Sequence, residues 1–232
     1  MSVVEIAEAT KEDRLSFLKK RLPSGTREPC VDRAVLITEG YIDAAADPII
    51  VRRAKALANV LNKMTVRIFD EELIVGDQSV SQQAGRNYPE FGAWADDRLA
   101  EVAAFWQENP RLRAVGSLFG HTVPGFQKLI EKGFSGIKAD AQAKLGNMDA
   151  TNAEELSKEP FWRAMIIICE AAGNFGKRYA QRAREMAEAE KDSRRRLELQ
   201  KIAEVCDHVP CNPARTFYEA LQSLWFGHIM IQ

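Results

Sequence analysis

The sequence is poor in histidine and cysteine, has no excess of either charge, and contains no long apolar run. Three histidines and four cysteines are spread over 232 residues, and 32 Lys and Arg face 33 Asp and Glu, for a formal net charge of -1. Nucleic-acid binders that work by neutralising phosphates need a surplus of cations, which this balance does not supply. The longest unbroken apolar run, Ala164–Cys169, falls far short of the roughly 18 residues that cross a bilayer. No membrane span and no nucleic-acid partner are therefore expected. Acids precede any lysine in the first ten residues, without the charged-then-apolar pattern of a leader, so a cytoplasmic location is expected. Cys30, Cys169, Cys206 and Cys211 are accordingly read as reduced thiols rather than a disulfide framework.

What is present is the composition of a globular chain, 46% hydrophobic and 28% charged. A chain of this length fits one large domain or two small ones and can bury roughly 70% of its extended surface. Most of it reads as helix. Thr10 caps a helix over Lys11 to Arg21, with Leu15 and Leu18 on one face and Pro23-Ser-Gly as the stop. Ala34, Ile37 and Tyr41 mark a second helix from Asp32 to Ala45. Asp47-Pro48 opens a third, in which Ile50, Ala54, Leu57 and Leu61 recur at helical steps.

Between Thr65 and Gln83 the period shortens to two. Val66 and Ile68 alternate with Arg67 and Phe69, and Leu73-Ile-Val75 is closed by Gly76-Asp77, the best candidate for strand. A loop-rich stretch with one helix from Ala95 to Gln107 follows. Thr151-Asn-Ala-Glu154 reads as a capping box. Pro160 opens a long helix to about Glu190, with Phe161, Met165, Ile168, Ala172, Phe175 and Tyr179 on one stripe. Asp192 caps the next helix, and Asn212-Pro213 opens a last one carrying Phe217, Leu221, Leu224, Trp225 and Ile229.

Few clusters carry chemistry. Cys206-Asp-His208-Val-Pro-Cys211 has zinc-ligand types but no second ligand pair, so a helix end and turn is the better reading and no metal is expected. Gly133-Phe-Ser-Gly136 lacks the Lys-Ser/Thr of a phosphate cradle and reads as a turn. Arg194-Arg-Arg196, balanced by nearby glutamates, reads as a solvated helix face. The long helix holds the anomaly. Trp162, Ile166, Glu170 and Asn174 step by four on one stripe, and Glu170 interrupts a greasy segment. A carboxylate buried there must be paired or protonated. It is either an ion pair with Arg163, Arg178 or a residue elsewhere, or the polar anchor of a pocket wall.

Several segments, in order, resemble glycyl radical enzymes. They are Pro29-Cys-Val-Asp-Arg-Ala34 with Ile37-Thr-Glu39 and Tyr41, Arg52-Arg-Ala-Lys-Ala-Leu57, Glu72-Leu-Ile-Val-Gly-Asp77 and Tyr88-Pro-Glu90. Gly120-His121, Gly133-Phe-Ser-Gly-Ile137, Phe161-Trp-Arg-Ala-Met165, Lys177-Arg-Tyr-Ala180, Pro213-Ala-Arg-Thr-Phe217 and Glu219-Ala-Leu-Gln-Ser-Leu-Trp225 continue the series. That family includes pyruvate formate-lyase, glycerol and hydroxyproline dehydratases, choline lyase and isethionate sulfite-lyase.

The resemblance implies a mainly α chain with a few short strands, residues 1–232 forming the N-terminal helical part of a ten-stranded α/β barrel. In the family, a cysteine thiyl and a glycyl radical carry out C–C, C–N, C–O or C–S cleavage. Neither the thiyl loop nor the radical glycine loop is recognisable here: Cys30 and Gly133 stand in the wrong settings. No catalytic residue is assigned, and the chain alone is expected to be inactive. The family's register places a substrate-facing polar residue at Glu170, with Trp162 and Asn174 beside it. The implied substrate is small and polar. The resemblance further implies that this segment binds no cofactor, that a glycyl radical is installed by an S-adenosylmethionine-dependent iron–sulfur activating enzyme, and that the whole enzyme is a homodimer or assembles with a missing C-terminal part. The rival expectation is a non-catalytic helical interaction scaffold derived from the same family.

Overall fold

A computed structural model describes residues 11–20, 31–77 and 124–231. Those residues form helices α1 (Lys11–Lys20), α2 (Val31–Asp43), α3 (Ile49–Lys63), α4 (Phe126–Gly146), α5 (Ala153–Ser157), α6 (Glu159–Ala189), α7 (Ser193–His208) and α8 (Phe217–Ile231). The expected helix over Ala95 to Gln107 lies outside the described residues.

α6 is the axis of the packing, in contact with α3, α4, α5 and α7. Its buried face is built largely from small residues: Ala171, Ala172, Gly173, Gly176, Ala180, Ala183 and Ala187. Small side chains let neighbouring backbones approach, and Phe175 and Tyr179 fill the centre. Their rings meet edge to face at 5.0 Å, and Phe175 meets Phe226 of α8 at 5.4 Å, the geometry that aromatic quadrupoles favour. The expected apolar stripe therefore holds in its C-terminal half. Phe161, at its N-terminal end, is instead exposed.

α3 lies between α2 and α6. A Cβ on Gly40 of α2 would stand 2.6 Å from the Cα of Ala56, so glycine at that point sets the closeness of the two helices. Asn59 Nδ2 donates to Leu36 O at 2.6 Å and Arg52 Nε to Tyr41 O at 2.8 Å, satisfying carbonyls along α2. Pro48 sits just before the first helical residue of α3 rather than within it. At the other end, Arg178 of α6 donates to Leu61 O at 2.7 Å and also to Met64 O. A cation thus closes the carbonyl end of α3, where the helix dipole is negative.

The expected strand is not formed among the described residues: Thr65 to Asp77 pairs with side chains instead. Thr65 N donates to Asp32 at 2.8 Å and Phe69 N to Glu72 at 3.0 Å. Val75 exchanges both backbone groups with the Gln222 amide, its N–H donating at 2.9 Å and its carbonyl accepting at 2.7 Å. Trp225 Nε1 donates to Gly76 O at 2.9 Å, and Tyr218 OH donates to Leu73 O. α8 thus does for this strip what a neighbouring strand would do.

Arg194 and Arg195 are not a solvated face. Arg195 is buried and donates to Glu72 O at 2.8 Å and Phe69 O at 3.1 Å. Arg194 bonds Glu71 at 3.0 Å, and Arg14 of α1 bridges Glu71 at 2.8 Å to Glu198 at 2.6 Å. The acids that the arginines meet belong partly to a turn more than a hundred residues upstream, so local charge balance misjudged them.

Two caps are shifted. Asn152, not Thr151, caps α5, accepting from the N–H groups of Glu154 and Glu155. α8 begins at Phe217 rather than after Pro213, because the backbone ahead of it is already engaged. Cys211 O and Pro210 O accept from Ser135 N and Phe134 N, and Ala214 N donates to Ile130 O. Thr216 Oγ1 then accepts from Glu219 N at 3.2 Å. Gly133 is a kink inside α4, with φ 63°, where a Cβ would fall 2.4 Å from Cys211 O. The expected turn at Gly133 is present, embedded in a helix that no sequence signal had marked.

Candidate functional site

α6 runs without interruption through Trp162, Ile166, Glu170 and Asn174, and their spacing of four holds them on one slowly drifting line. Glu170 is not buried: its side chain is 55% exposed, and Oε1 lies 3.4 Å from Nζ of Lys138 on α4. The carboxylate has a partner, but it is neither Arg163 nor Arg178. Arg163 pairs with Glu159 one turn earlier, and Arg178 is committed to the end of α3. Asn174 is exposed and donates from Nδ2 to Asn62 Oδ1 of α3 at 3.2 Å. Trp162 is half-buried and meets Phe161 edge to face at 4.9 Å.

The three expected residues thus share a face of α6, edged by Lys138 on one side and Asn62 on the other. Chemically, the line combines an indole wall, a carboxylate that accepts hydrogen bonds, and a carboxamide that both donates and accepts. An exposed ion pair holds little energy and is readily exchanged for another partner. Sequence reading missed Lys138 and Asn62, since neither stands in a motif.

Cys206 and His208, read above for their zinc-ligand types, have other surroundings. Cys206 is buried, and desolvation pushes its thiol far above the ordinary range. His208 Nε2 is 2.8 Å from Pro213 O. Among the described residues no group of three or more His, Cys, Asp or Glu is placed to hold a metal ion. No helix among them is long and apolar enough to cross a membrane. Cys30, Tyr88-Pro-Glu90 and Gly120-His121 lie outside the described residues.

The model of the family described as pyruvate formate lyase-like matches residues 7–113 and 113–232. The chain belongs to the pyruvate formate lyase-like family. It is 29% identical over 250 residues to isethionate sulfite-lyase of Oleidesulfovibrio alaskensis, a match spanning 84% of this chain and 30% of that enzyme. To trans-4-hydroxy-L-proline dehydratase of Clostridioides difficile it is 31% identical over 259 residues, 91% of this chain and 33% of that one. The solved glycerol-bound form of the B12-independent glycerol dehydratase from Clostridium butyricum superposes with a TM-score of 0.78 at 28% identity, covering 94% of this chain and 34% of the other. The family members it resembles are thus glycyl radical lyases and dehydratases, and the chain spans about a third of their length.

Proposed function

We propose that this chain is the N-terminal helical portion of a glycyl radical lyase or dehydratase that cleaves a C–C, C–N, C–O or C–S bond of a small polar substrate. The observation that carries this reading is the family match through almost all of the chain, joined to lyase and dehydratase relatives by sequence and by backbone. Residues 1–232 contribute the helical surround of the barrel; the thiyl cysteine and radical glycine stand in the remaining two thirds of the enzyme. By itself the chain does not turn over. The whole enzyme, as a homodimer or an assembly with that remainder, receives its radical from an S-adenosylmethionine-dependent iron–sulfur activating enzyme.

In the whole enzyme, Glu170, Trp162 and Asn174 form part of the substrate pocket. Glu170 accepts a hydrogen bond from a hydroxyl or faces a cationic group, Asn174 supplies a donor, and Trp162 an apolar wall. Two measurements test the reading. After anaerobic activation, electron paramagnetic resonance should show a glycyl radical doublet in the whole enzyme and none in this chain alone. Glu170→Gln in the whole enzyme should lower kcat/KM while the doublet persists; unchanged kinetics would remove Glu170 from the pocket.

A second reading, a non-catalytic helical scaffold, is favoured by the outer line of α8. Phe217 is 80% exposed, and Leu221 and Trp225 on the same line are also open. Ile229, one turn beyond Trp225, is fully buried and closes the line at that end. A stable hetero-assembly in native mass spectra, without a radical in any component, would favour the scaffold.

A further inference from the structure

Cys169 and Gly173 are one turn apart on α6, so their side-chain directions coincide and their Cβ positions lie about 6 Å apart. Cys211, in the turn between α7 and α8, settles onto that spot. A Cβ built on Gly173 would stand 3.3 Å from Cys211 Sγ and 3.6 Å from its Cβ. Glycine at 173 is what lets this turn approach α6, and it seats the Cys211 thiol one helical turn from Cys169, near enough that each thiol acts on the other's charge. The turn is held there by Ser135 N, which donates to Cys211 O at 2.7 Å, and by Asn212 N, which donates to His208 O at 2.9 Å.

We propose that Cys169 and Cys211 are a redox-responsive thiol pair, joined as a disulfide by hydroperoxides and reopened by thiol reductants. Both thiols are free in the structure. They differ in access: Cys211 is half-buried, while Cys169 is 5% exposed. A small oxidant therefore meets Cys211 first. Burial pushes the Cys169 thiol up to about 11, against the pull of Lys138 and Lys128 on α4 and with an upward push from Cys211 and Glu170, so Cys169 is the resolving partner rather than the one first oxidised.

The steps balance. The hydroperoxide transfers one oxygen to the Cys211 sulfur, giving the sulfenic acid and an alcohol, or water when the oxidant is hydrogen peroxide. The Cys169 sulfur then attacks Sγ of Cys211, the S–S bond forms, and the sulfenic oxygen leaves as water with the Cys169 proton. Two thiols are oxidised by two electrons and one O–O bond is reduced. The bond ties α6 covalently to the turn that also seats the Gly133 kink of α4. None of this depends on the radical chemistry proposed above.

The test treats the full 232-residue chain with hydrogen peroxide, blocks remaining thiols with iodoacetamide under denaturing conditions, and maps peptides after trypsin and Asp-N digestion. Asp-N cleavage before Asp207 separates Cys206 from Cys211. Free thiols should fall from the four present to about two. The peptide holding Cys169 should appear linked to the one holding Cys211 and be released by dithiothreitol. The link should vanish in Cys211→Ser and persist in Cys30→Ser and Cys206→Ser. A bridge using Cys30 or Cys206, a bridge between chains, or oxidation that ends at sulfinic and sulfonic acids without a link would overturn the proposal.

Discussion

The side-chain amide of Gln222 pairs with the backbone of Val75 in both directions, accepting from its N–H at 2.9 Å and donating to its carbonyl at 2.7 Å. Both residues are almost wholly buried, so no water substitutes if the pair is lost. Gln222→Leu keeps the bulk of the side chain but leaves two backbone groups unsatisfied. Since each buried orphan costs about 1–3 kcal/mol, a total loss of about 2–6 kcal/mol is expected. Urea unfolding followed by circular dichroism measures it. A loss within 0.5 kcal/mol of zero would show that the 73–77 strip is not held by α8.

Arg178 closes the end of α3 through the Leu61 and Met64 carbonyls, and burial lowers its own pKa. Arg178→Met removes the charge and both donors while leaving much of the packing stem. The expected destabilisation is about 1.5–3 kcal/mol, the range for hydrogen bonds to a charged group. Arg178→Lys should recover only part, because one ammonium lacks the planar fork that reaches two carbonyls. Equal stability of the Lys variant and the parent would argue for charge alone.

Glu219 is held below the ordinary carboxylate range, chiefly by the Arg215 guanidinium, whose hydrogen bonds outweigh the opposing effect of burial. Arg215 Nη2 donates to Oε1 at 2.6 Å and the Arg215 backbone N–H to Oε2 at 2.6 Å. A depressed folded-state pKa means that the unfolded chain takes up the proton first. The stabilisation is therefore complete above the unfolded value of about 4.3 and is lost as pH falls through the lower folded value. Melting temperatures measured from pH 6 down to pH 3 should drop more steeply for the parent than for Glu219→Gln. Parallel curves would contradict the assignment.

Gly176 and Gly146 make opposite predictions. A Cβ on Gly176 would stand 2.7 Å from Val209 O and 2.8 Å from Pro210 Cδ, whereas one on Gly146 meets nothing within 4 Å. Gly176→Ala must push the 209–212 turn off α6 and should cost about 1–3 kcal/mol, as overpacking does. Gly146→Ala should be neutral or stabilise by up to about 1 kcal/mol, since alanine is the better helix former. Thermal unfolding of the two variants side by side checks both signs.

Glu170→Gln in this chain should change stability by less than about 1 kcal/mol, because its pair with Lys138 is exposed. A large loss in denaturant titration would mean that Glu170 serves the fold, and a fall in turnover of the whole enzyme could not then be assigned to substrate contact.

The helices were legible wherever period and cap agreed. α6 and α7 begin and end within a residue or two of where Pro160, Glu190, Asp192 and His208 indicated. The 65–77 strip was not legible as it is. Alternation at period two is the same whether the backbone pairs with a strand or with Gln222, Trp225 and Tyr218, and those partners lie more than 140 residues away. The apolar neighbours of Glu170 along the chain suggested burial, yet its own direction on α6 is outward. Run composition says what flanks a residue, while exposure depends on which helix covers that face.

By itself, the amino-acid sequence determined the helical period of this protein, the start of α6 at Pro160, the Asp192 cap of α7 and its family, because each is written in residues a few positions apart or in an ordered series of short motifs. Only the tertiary structure decided which charges are buried, as Arg195 is and Glu170 is not. It alone decided that an amide from α8 stands in for a neighbouring strand, and that Gly173 draws the Cys211 thiol onto α6. These are contacts between distant segments, and their energies depend on desolvation and distance, which no local pattern encodes.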